Sequence, residues 1–162
     1  MCENHRSNMT RISVVFTLLC VLCNIMSSFA FVFEDCGSEI GKVNEIWIST
    51  CEVSNKKCLL TRGKDIHVKV KFTPNKDILN MKVYAFGMLL DELIPFSIEN
   101  FNACKHPESG IKCPLKKNQE THYKATFTVE KKIPSLSVDV IWEFKNEKNE
   151  KIMCVKFPAK IM

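Results

Sequence analysis

Six cysteines lie between residues 31 and 162 of this chain, and they restrict its possible folds more than any other feature. The chain has nine cysteines in all, but Cys2, Cys20 and Cys23 fall in an N-terminal segment that we expect to be removed. An even number of cysteines in a small secreted domain indicates a disulfide framework. Six cysteines allow fifteen pairings, and sequence alone does not choose among them. The six are Cys36, Cys51, Cys58, Cys104, Cys113 and Cys154.

The N-terminal segment has the pattern of a secretory signal peptide. Arg11 supplies the positive charge, residues 12–26 contain no charged residue, and the small residues Ser28 and Ala30 fit a cleavage site. The apolar run is shorter than the roughly 18 residues that a membrane-spanning helix needs. We therefore predict a signal peptide over residues 1–30, one mature domain over residues 31–162, and a secreted, extracellular protein.

Local cysteine spacing favours disulfides over a metal site. Two pairs lie close in the chain, and each brackets a polar stretch that is typical of a loop: Cys51 with Cys58, and Cys104 with Cys113. A zinc site is the alternative, but the mature chain has no C-x-x-C pair and its three histidines are scattered. We therefore predict neither a metal site nor a cofactor.

Apolar and polar residues alternate over strand-length segments. Residues 66–72, 123–129 and 136–144 show the period of two that half-buried strands require, and residues 43–48 show it with one irregularity. Gly87 and Pro95 divide the apolar residues 81–96, and residues 97–120 are predicted to form a long loop. About seven strands separated by turn signals predict an all-β domain, an antiparallel β-sandwich.

Two other function classes lack their sequence signals. The basic residues are spread over doublets such as Lys56-Lys57, without the dense basic stripe and stacking aromatics of a nucleic-acid binder. The five glycines are too widely spaced for a phosphate-binding loop, and neither G-x-S-x-G nor H-E-x-x-H occurs. We therefore expect no nucleic-acid binding and no enzymatic activity.

The apolar stripes are rich in bulky aromatic and aliphatic residues for a domain of this size. A solid core and a ligand pocket produce the same alternation, so the pattern predicts a fold without assigning a function.

Several short segments carry a resemblance to a known family. The segments are Phe33–Ser38, Cys113-Pro114, Pro134-Ser135, Val140–Glu143, and Cys154 followed by Pro158. The spacing of all six cysteines carries the same resemblance. Together they resemble the ML (MD-2-related lipid-recognition) domain, in particular its Niemann-Pick type C2 sterol-transfer branch. Wider relatives in this family include the group 2 mite allergens and the lipopolysaccharide co-receptor MD-2. The resemblance extends over essentially the whole mature chain.

The resemblance implies an immunoglobulin-like sandwich of two sheets with an internal hydrophobic cavity. It also implies three disulfides, Cys36–Cys154, Cys51–Cys58 and Cys104–Cys113. Residues that match the family's ligand-contacting positions are Ile48, Phe96, Tyr123, Phe127, Val129, Ile133, Trp142 and Val155. Ile133 and Val155 stand where the sterol-transfer proteins have aromatics, so we expect a reshaped pocket mouth.

The implied function is a secreted, monomeric carrier of a sterol, a fatty acid or a semiochemical, with transient contact to a membrane or a receptor. The alternative is an MD-2-like protein that binds a lipid and docks a receptor in innate immunity. The only N-x-S/T sequon, at residues 8–10, precedes the mature domain. Without a glycan signal for lysosomal delivery, we expect the protein in an extracellular fluid.

Overall fold

The computed structural model describes residues 33–51, 56–98 and 101–162. The predicted signal peptide lies outside these residues. The described part contains two short 3₁₀ helices, Ala103–Lys105 and Pro107–Ser109, and no helix in it is long and apolar enough to cross a membrane. Its nine strands are β1 Glu34–Asp35, β2 Gly41–Ile48, β3 Cys58–Leu60, β4 Asp65–Pro74, β5 Lys82–Leu89, β6 Glu92–Pro95, β7 Thr121–Thr128, β8 Leu136–Lys145 and β9 Lys151–Ile161.

The strands form two sheets, as predicted. The larger sheet has the order β1-β9-β8-β5-β6, with β3 also paired to β9, and the smaller sheet has the order β2-β4-β7. Every pairing between strands is antiparallel except that of β3 with β9, which aligns Cys58 with Ala159 in parallel. The structure has two more strands than expected because β1 and β3 are too short to show an alternating pattern.

Inward-facing side chains of both sheets make the core. Val68, Val70 and Phe72 of β4 are buried, as the alternation predicts. Phe144 of β8 packs edge-on against Phe72, with ring centroids 5.3 Å apart, and against Tyr123 of β7, at 4.8 Å. Such pairs add about 0.5–1.5 kcal/mol each beyond the burial of their area. These three rings fill one end of the sandwich.

The chain reversal between β5 and β6 differs from the prediction. We expected a break at Gly87, but β5 runs through it, and the chain turns at Leu90 and Asp91, which both have positive φ (50° and 65°). A two-residue hairpin loop of this type usually carries Asn-Gly or Asp-Gly, so the sequence lacks its signal. Gly87 has a packing role instead. A Cβ there would lie 2.9 Å from the Phe96 ring and 3.0 Å from Val138.

Gly87→Ala is therefore expected to destabilise the protein. The added methyl group overpacks a site where the Phe96 ring lies directly against the backbone, a change that typically costs about 1 to 3 kcal/mol. Urea denaturation measures the effect, with Ser137→Ala on the exposed side of β8 as the control. A neutral Gly87→Ala substitution would contradict the close packing of Phe96 on β5.

The connection over residues 97–120 is irregular where the structure describes it. Its two 3₁₀ helices are joined through Ser109, whose buried hydroxyl oxygen lies 2.7 Å from the carbonyl oxygens of both Ala103 and His106 and donates its one proton between them. Ile78 and Leu115 form an isolated antiparallel bridge that holds this connection to the sandwich. The predicted long loop is thus a compact, packed segment.

All six cysteines are paired, and the pairing is the one that the resemblance implies. Cys36–Cys154, Cys51–Cys58 and Cys104–Cys113 have Cα–Cα distances of 5.0, 4.3 and 5.6 Å. The first joins the segment after β1 to the centre of β9, where the Cys36 N–H also donates to the Cys154 carbonyl oxygen. It ties the start of the described chain to its last strand.

Candidate functional site

An internal cavity of about 80 Å³ lies between the two sheets. It is at the end where β4 begins and β7 ends, whereas Phe72, Tyr123 and Phe144 fill the sandwich elsewhere. The lining residues are Ile48, Leu60, Ile66, Val68, Ala85, Phe96, Ser97, Ile98, Phe127, Thr128, Val129, Glu130, Ile133, Val140, Trp142, Phe157 and Ile161.

The lining is apolar except at its rim. Ser97, Thr128 and Glu130 are the lining residues with polar side chains, apart from the indole N–H of Trp142. The surrounding aliphatic and aromatic side chains come from both sheets, because the inward positions of β4, β7 and β8 converge here. A site with this composition favours an apolar occupant, since no charged group lies away from the rim.

Trp142 and Phe127, which lie on different sheets, contact each other in the cavity wall. Their rings meet edge to face, with centroids 4.8 Å apart. Trp142 lies on β8 opposite Ala85 of β5 and Val155 of β9, and it is only 4% exposed. Strand pairing on both sides and the Phe127 ring thus define the position of Trp142 in the cavity wall.

The mouth of the cavity lies between residues 96–98 after β6 and residues 128–133 after β7. A polar bridge crosses it, because the Ser97 hydroxyl hydrogen-bonds the Glu130 carboxylate. The Lys132 ammonium lies 2.7 Å from the same carboxylate, and the hydrogen bonds from Lys132 and Ser97 hold the pKa of Glu130 below its usual value. The bridge and the Ile133 side chain thus border the mouth.

The cavity is small for a complete ligand. Pockets for small molecules usually enclose roughly 300–1,000 Å³. A molecule of the bulk of a sterol thus requires outward movement of the mouth side chains. Phe96, at this mouth, is held by its backbone, whose N–H donates to the Ala85 carbonyl oxygen at 2.9 Å.

Six of the eight predicted site residues line this cavity, and two lie elsewhere. Tyr123 packs against Phe144 in the solid part of the core, where burial raises the pKa of its phenol. Val155 is fully buried on β9 beside Trp142 and is not part of the lining. The six are Ile48, Phe96, Phe127, Val129, Ile133 and Trp142. Ligand contact by any of the eight remains a prediction.

Other lining residues were not expected from the sequence. Ile66, Val68 and Val140 lie on alternating stripes, so periodicity placed them inward without distinguishing cavity from core. Leu60 and Ile161 are brought together by the parallel pairing of β3 with β9, which no local pattern predicts. Ser97 and Glu130 meet only through the folding of two separate loops.

Two grooves on the outer face of the smaller sheet are larger, at about 560 and 460 Å³, but are less suited to an apolar ligand. They are open to solvent and bordered by charged side chains such as Lys69, Lys124 and Glu45. The Lys69 ammonium lies 4.8 Å from the centre of the Trp47 ring, a contact typical of a solvated surface. The cavity between the sheets is therefore the candidate site.

Fold and site together define an immunoglobulin-like β-sandwich with an apolar cavity between its sheets and three disulfides. The chain belongs to the ML domain family, whose family model matches residues 30–161.

Similar proteins agree with this membership. NPC intracellular cholesterol transporter 2 homolog a of Drosophila melanogaster is 35% identical over 132 residues, covering 82% of this chain and 88% of that protein. The NPC intracellular cholesterol transporter 2 of Bos taurus is 33% identical, covering 80% and 83%. A crystal structure of a Niemann-Pick type C2 protein from the Japanese carpenter ant matches with a TM-score of 0.78 at 56% identity, covering 81% of this chain and 99% of that one.

Proposed function

We propose that this chain is a secreted, monomeric carrier that binds a small apolar molecule between its two sheets. The ligand class is a sterol, a fatty acid or a semiochemical. The observation that carries the proposal is the cavity itself, whose lining is apolar and whose polar side chains are confined to the mouth. The names of the related cholesterol transporters support the same function.

Binding follows from burial of apolar surface, without a covalent step. Removing apolar surface from water yields roughly 25 cal/mol per Å². Micromolar binding corresponds to about 8 kcal/mol, and association costs at least about 4 kcal/mol more, so roughly 500 Å² or more of apolar ligand surface must be buried. We infer a carrier and not an enzyme, since the family model and the related cholesterol transporters support lipid binding.

The mouth end of the sandwich is suited to transient contact with a membrane. Leu90, at the tip of the β5–β6 hairpin, is 91% exposed, and Leu93 and Ile94 beside it are about half exposed. The turn that follows β7 adds Lys131 and Lys132. Exposed apolar residues next to basic residues favour an anionic lipid surface, which would place the mouth near the lipid that the carrier loads or delivers.

A receptor is the competing partner for this end of the molecule, as in the MD-2-like alternative. Sedimentation with anionic vesicles distinguishes the two. We expect binding to vesicles that contain phosphatidylserine and a loss of binding for Leu90→Asp. If the protein binds vesicles of no composition but still binds its ligand, the receptor-docking alternative is favoured.

Native mass spectrometry of the protein purified from its source tests the proposed function. We expect a monomer that carries one small-molecule adduct, which extraction with organic solvent removes. Displacement of a fluorescent fatty-acid or sterol probe then gives the ligand's affinity. Absence of both an adduct and binding to a broad panel of lipid probes would refute the carrier function.

A further inference from the structure

The outer face of the smaller sheet carries a pair of lysines that no acidic side chain neutralises. Lys69 of β4 lies directly opposite Lys124 of β7, so both side chains project from the same face. Like charges in opposed positions destabilise a sheet, because such side chains start only about 5 Å apart. Neither lysine forms an ion pair in the part of the chain that the structure describes. An anion bound between the two ammonium groups would relieve this repulsion.

The nearest acidic groups on this face are already engaged by other side chains. The Glu45 carboxylate is paired with the Lys71 ammonium. The Glu120 carboxylate accepts a hydrogen bond from the Asn44 amide at 2.6 Å and lies 3.0 Å from the His122 ring. These contacts leave the opposed lysine pair free to bind a ligand from solvent.

The two outer grooves meet at this lysine pair. Both are lined by Lys69, Tyr123 and Lys124, and one continues to Trp47 on β2 while the other continues to Glu108 in the second 3₁₀ helix. Each groove has the volume of a small-molecule site. Together they form one open trough across the strands, and a linear ligand that follows it passes over the lysine pair.

A half-exposed aromatic ring lies at one end of this trough. Trp47 is opposite Lys69 in the sheet and is 45% exposed. It is the one large exposed hydrophobic side chain among the described residues that line the trough. The face of an aromatic ring carries negative charge density and attracts weakly polarised C–H groups, such as those of a sugar ring. The trough therefore offers an aromatic surface beside two positive charges.

Other polyanionic partners fit this face less well. A lipid bilayer is flat and would not fill the grooves, and the most exposed aliphatic side chain, Leu90, lies on the β5–β6 hairpin of the other sheet. An acidic peptide cannot add as a strand here, because β4 is already paired with both β2 and β7. Single-stranded nucleic acid usually stacks successive bases on several aromatic rings. An anionic polysaccharide needs only positive charges and a ring to pack against.

We propose that the outer face of the smaller sheet binds a sulfated glycan chain. Lys69 and Lys124 contact its sulfate groups, and Trp47 packs against a sugar ring. The compact ammonium of lysine acts as a point charge, so it contacts a sulfate from several directions. This site goes beyond the proposed function, since its side chains project away from the cavity. It would hold the carrier on sulfated polysaccharides outside the cell.

Isothermal titration calorimetry with a heparin octasaccharide tests the site. We expect binding at about physiological salt, and a loss of at least roughly tenfold in affinity for Lys69→Gln/Lys124→Gln. The matched control is Lys148→Gln/Lys160→Gln, which removes the same charge from exposed lysines outside the trough. Its affinity should stay within about twofold, because distant charges are screened. Equal losses in the two variants, or no binding by the unmodified protein, would overturn the proposal.

Nuclear magnetic resonance of the unmodified protein locates the contact without a substitution. The chain has two tryptophans, and we expect the octasaccharide to shift the indole N–H resonance of Trp47 but not that of the buried Trp142. A shift of neither resonance, with heparin bound, would contradict the site.

Three other polyanions distinguish the class of partner: octaglutamate, a twelve-residue oligothymidylate and vesicles that contain phosphatidylserine. We expect octaglutamate and the oligonucleotide to bind more weakly than the octasaccharide. The vesicles should bind equally well to the unmodified protein and to Lys69→Gln/Lys124→Gln. If any of the three binds more tightly than the octasaccharide and depends on the lysine pair, the glycan assignment is wrong.

Discussion

Opening the Cys36–Cys154 disulfide is expected to lower the free energy of unfolding by about 5 kcal/mol. This disulfide closes a loop with a sequence separation of 118 residues, so its removal releases the largest conformational entropy in the unfolded chain. It also joins the segment after β1 to β9, where Cys154 is buried in the larger sheet. Chemical denaturation of the Cys36→Ser/Cys154→Ser protein measures the loss.

The matched control is Cys51→Ser/Cys58→Ser, which opens a loop with a separation of only 7 residues. The same chain-entropy relation gives about 2 to 3 kcal/mol for this loop. Intact mass with and without alkylation verifies that the remaining four cysteines stay paired in each variant. Equal destabilisation by the two double substitutions would contradict the assignment of the long bridge as the main constraint on the fold.

Val129→Phe is expected to abolish ligand binding while changing the melting temperature little. Val129 follows the end of β7 and lines the cavity. Its backbone is held on both sides, because its N–H donates to the Lys64 carbonyl oxygen at 3.0 Å and its own carbonyl accepts from Gly63 at 2.7 Å. Because the backbone is held, the phenyl ring of Val129→Phe would occupy the cavity, where the ligand is proposed to bind. A fluorescent lipid probe and thermal unfolding are measured on the same protein.

Val83→Phe provides the comparison in solid core. Val83 is 1% exposed and lies on β5 directly opposite Phe144, away from the cavity. The same increase in size should overpack it and cost about 1 to 3 kcal/mol. If Val129→Phe destabilises as strongly as Val83→Phe and still binds the probe, Val129 belongs to ordinary core and the cavity is not the ligand site.

Much of the fold could be predicted from periodicity, because each long strand has one face in the core and the other toward solvent. The alternation over residues 66–72, 123–129 and 136–144 matches β4, β7 and β8, and the irregularity after Val43 corresponds to a register shift between Val43 and Glu45. The β5–β6 reversal could not be predicted, since Leu90 and Asp91 adopt positive φ without the usual glycine or asparagine. The predicted break at Gly87 was wrong. Glycine is needed there because the Phe96 ring packs against it, and local sequence does not reveal a contact with a residue outside the strand.

The candidate site was predictable only in part. The resemblance named eight residues, and six of them line the cavity. Tyr123 packs against Phe144 in the solid core and does not reach the cavity, a difference that the alternating pattern does not reveal. The Ser97–Glu130 bridge depends on which groups meet in space. Sequence patterns carry no information about such a contact, so the structure was needed to find it.

Fluorescence quenching by a brominated lipid tests most directly the claim that the ligand lies between the sheets. Bromine quenches tryptophan only at contact range, and Trp142 lines the cavity whereas Trp47 is on the outer face. In the Trp47→Phe protein, titration with a dibrominated fatty acid or a brominated sterol should quench Trp142 emission saturably at a ratio of one to one. In the Trp142→Phe protein, the emission of Trp47 should not change. A lipid that binds with the same stoichiometry but leaves Trp142 unquenched would contradict the account.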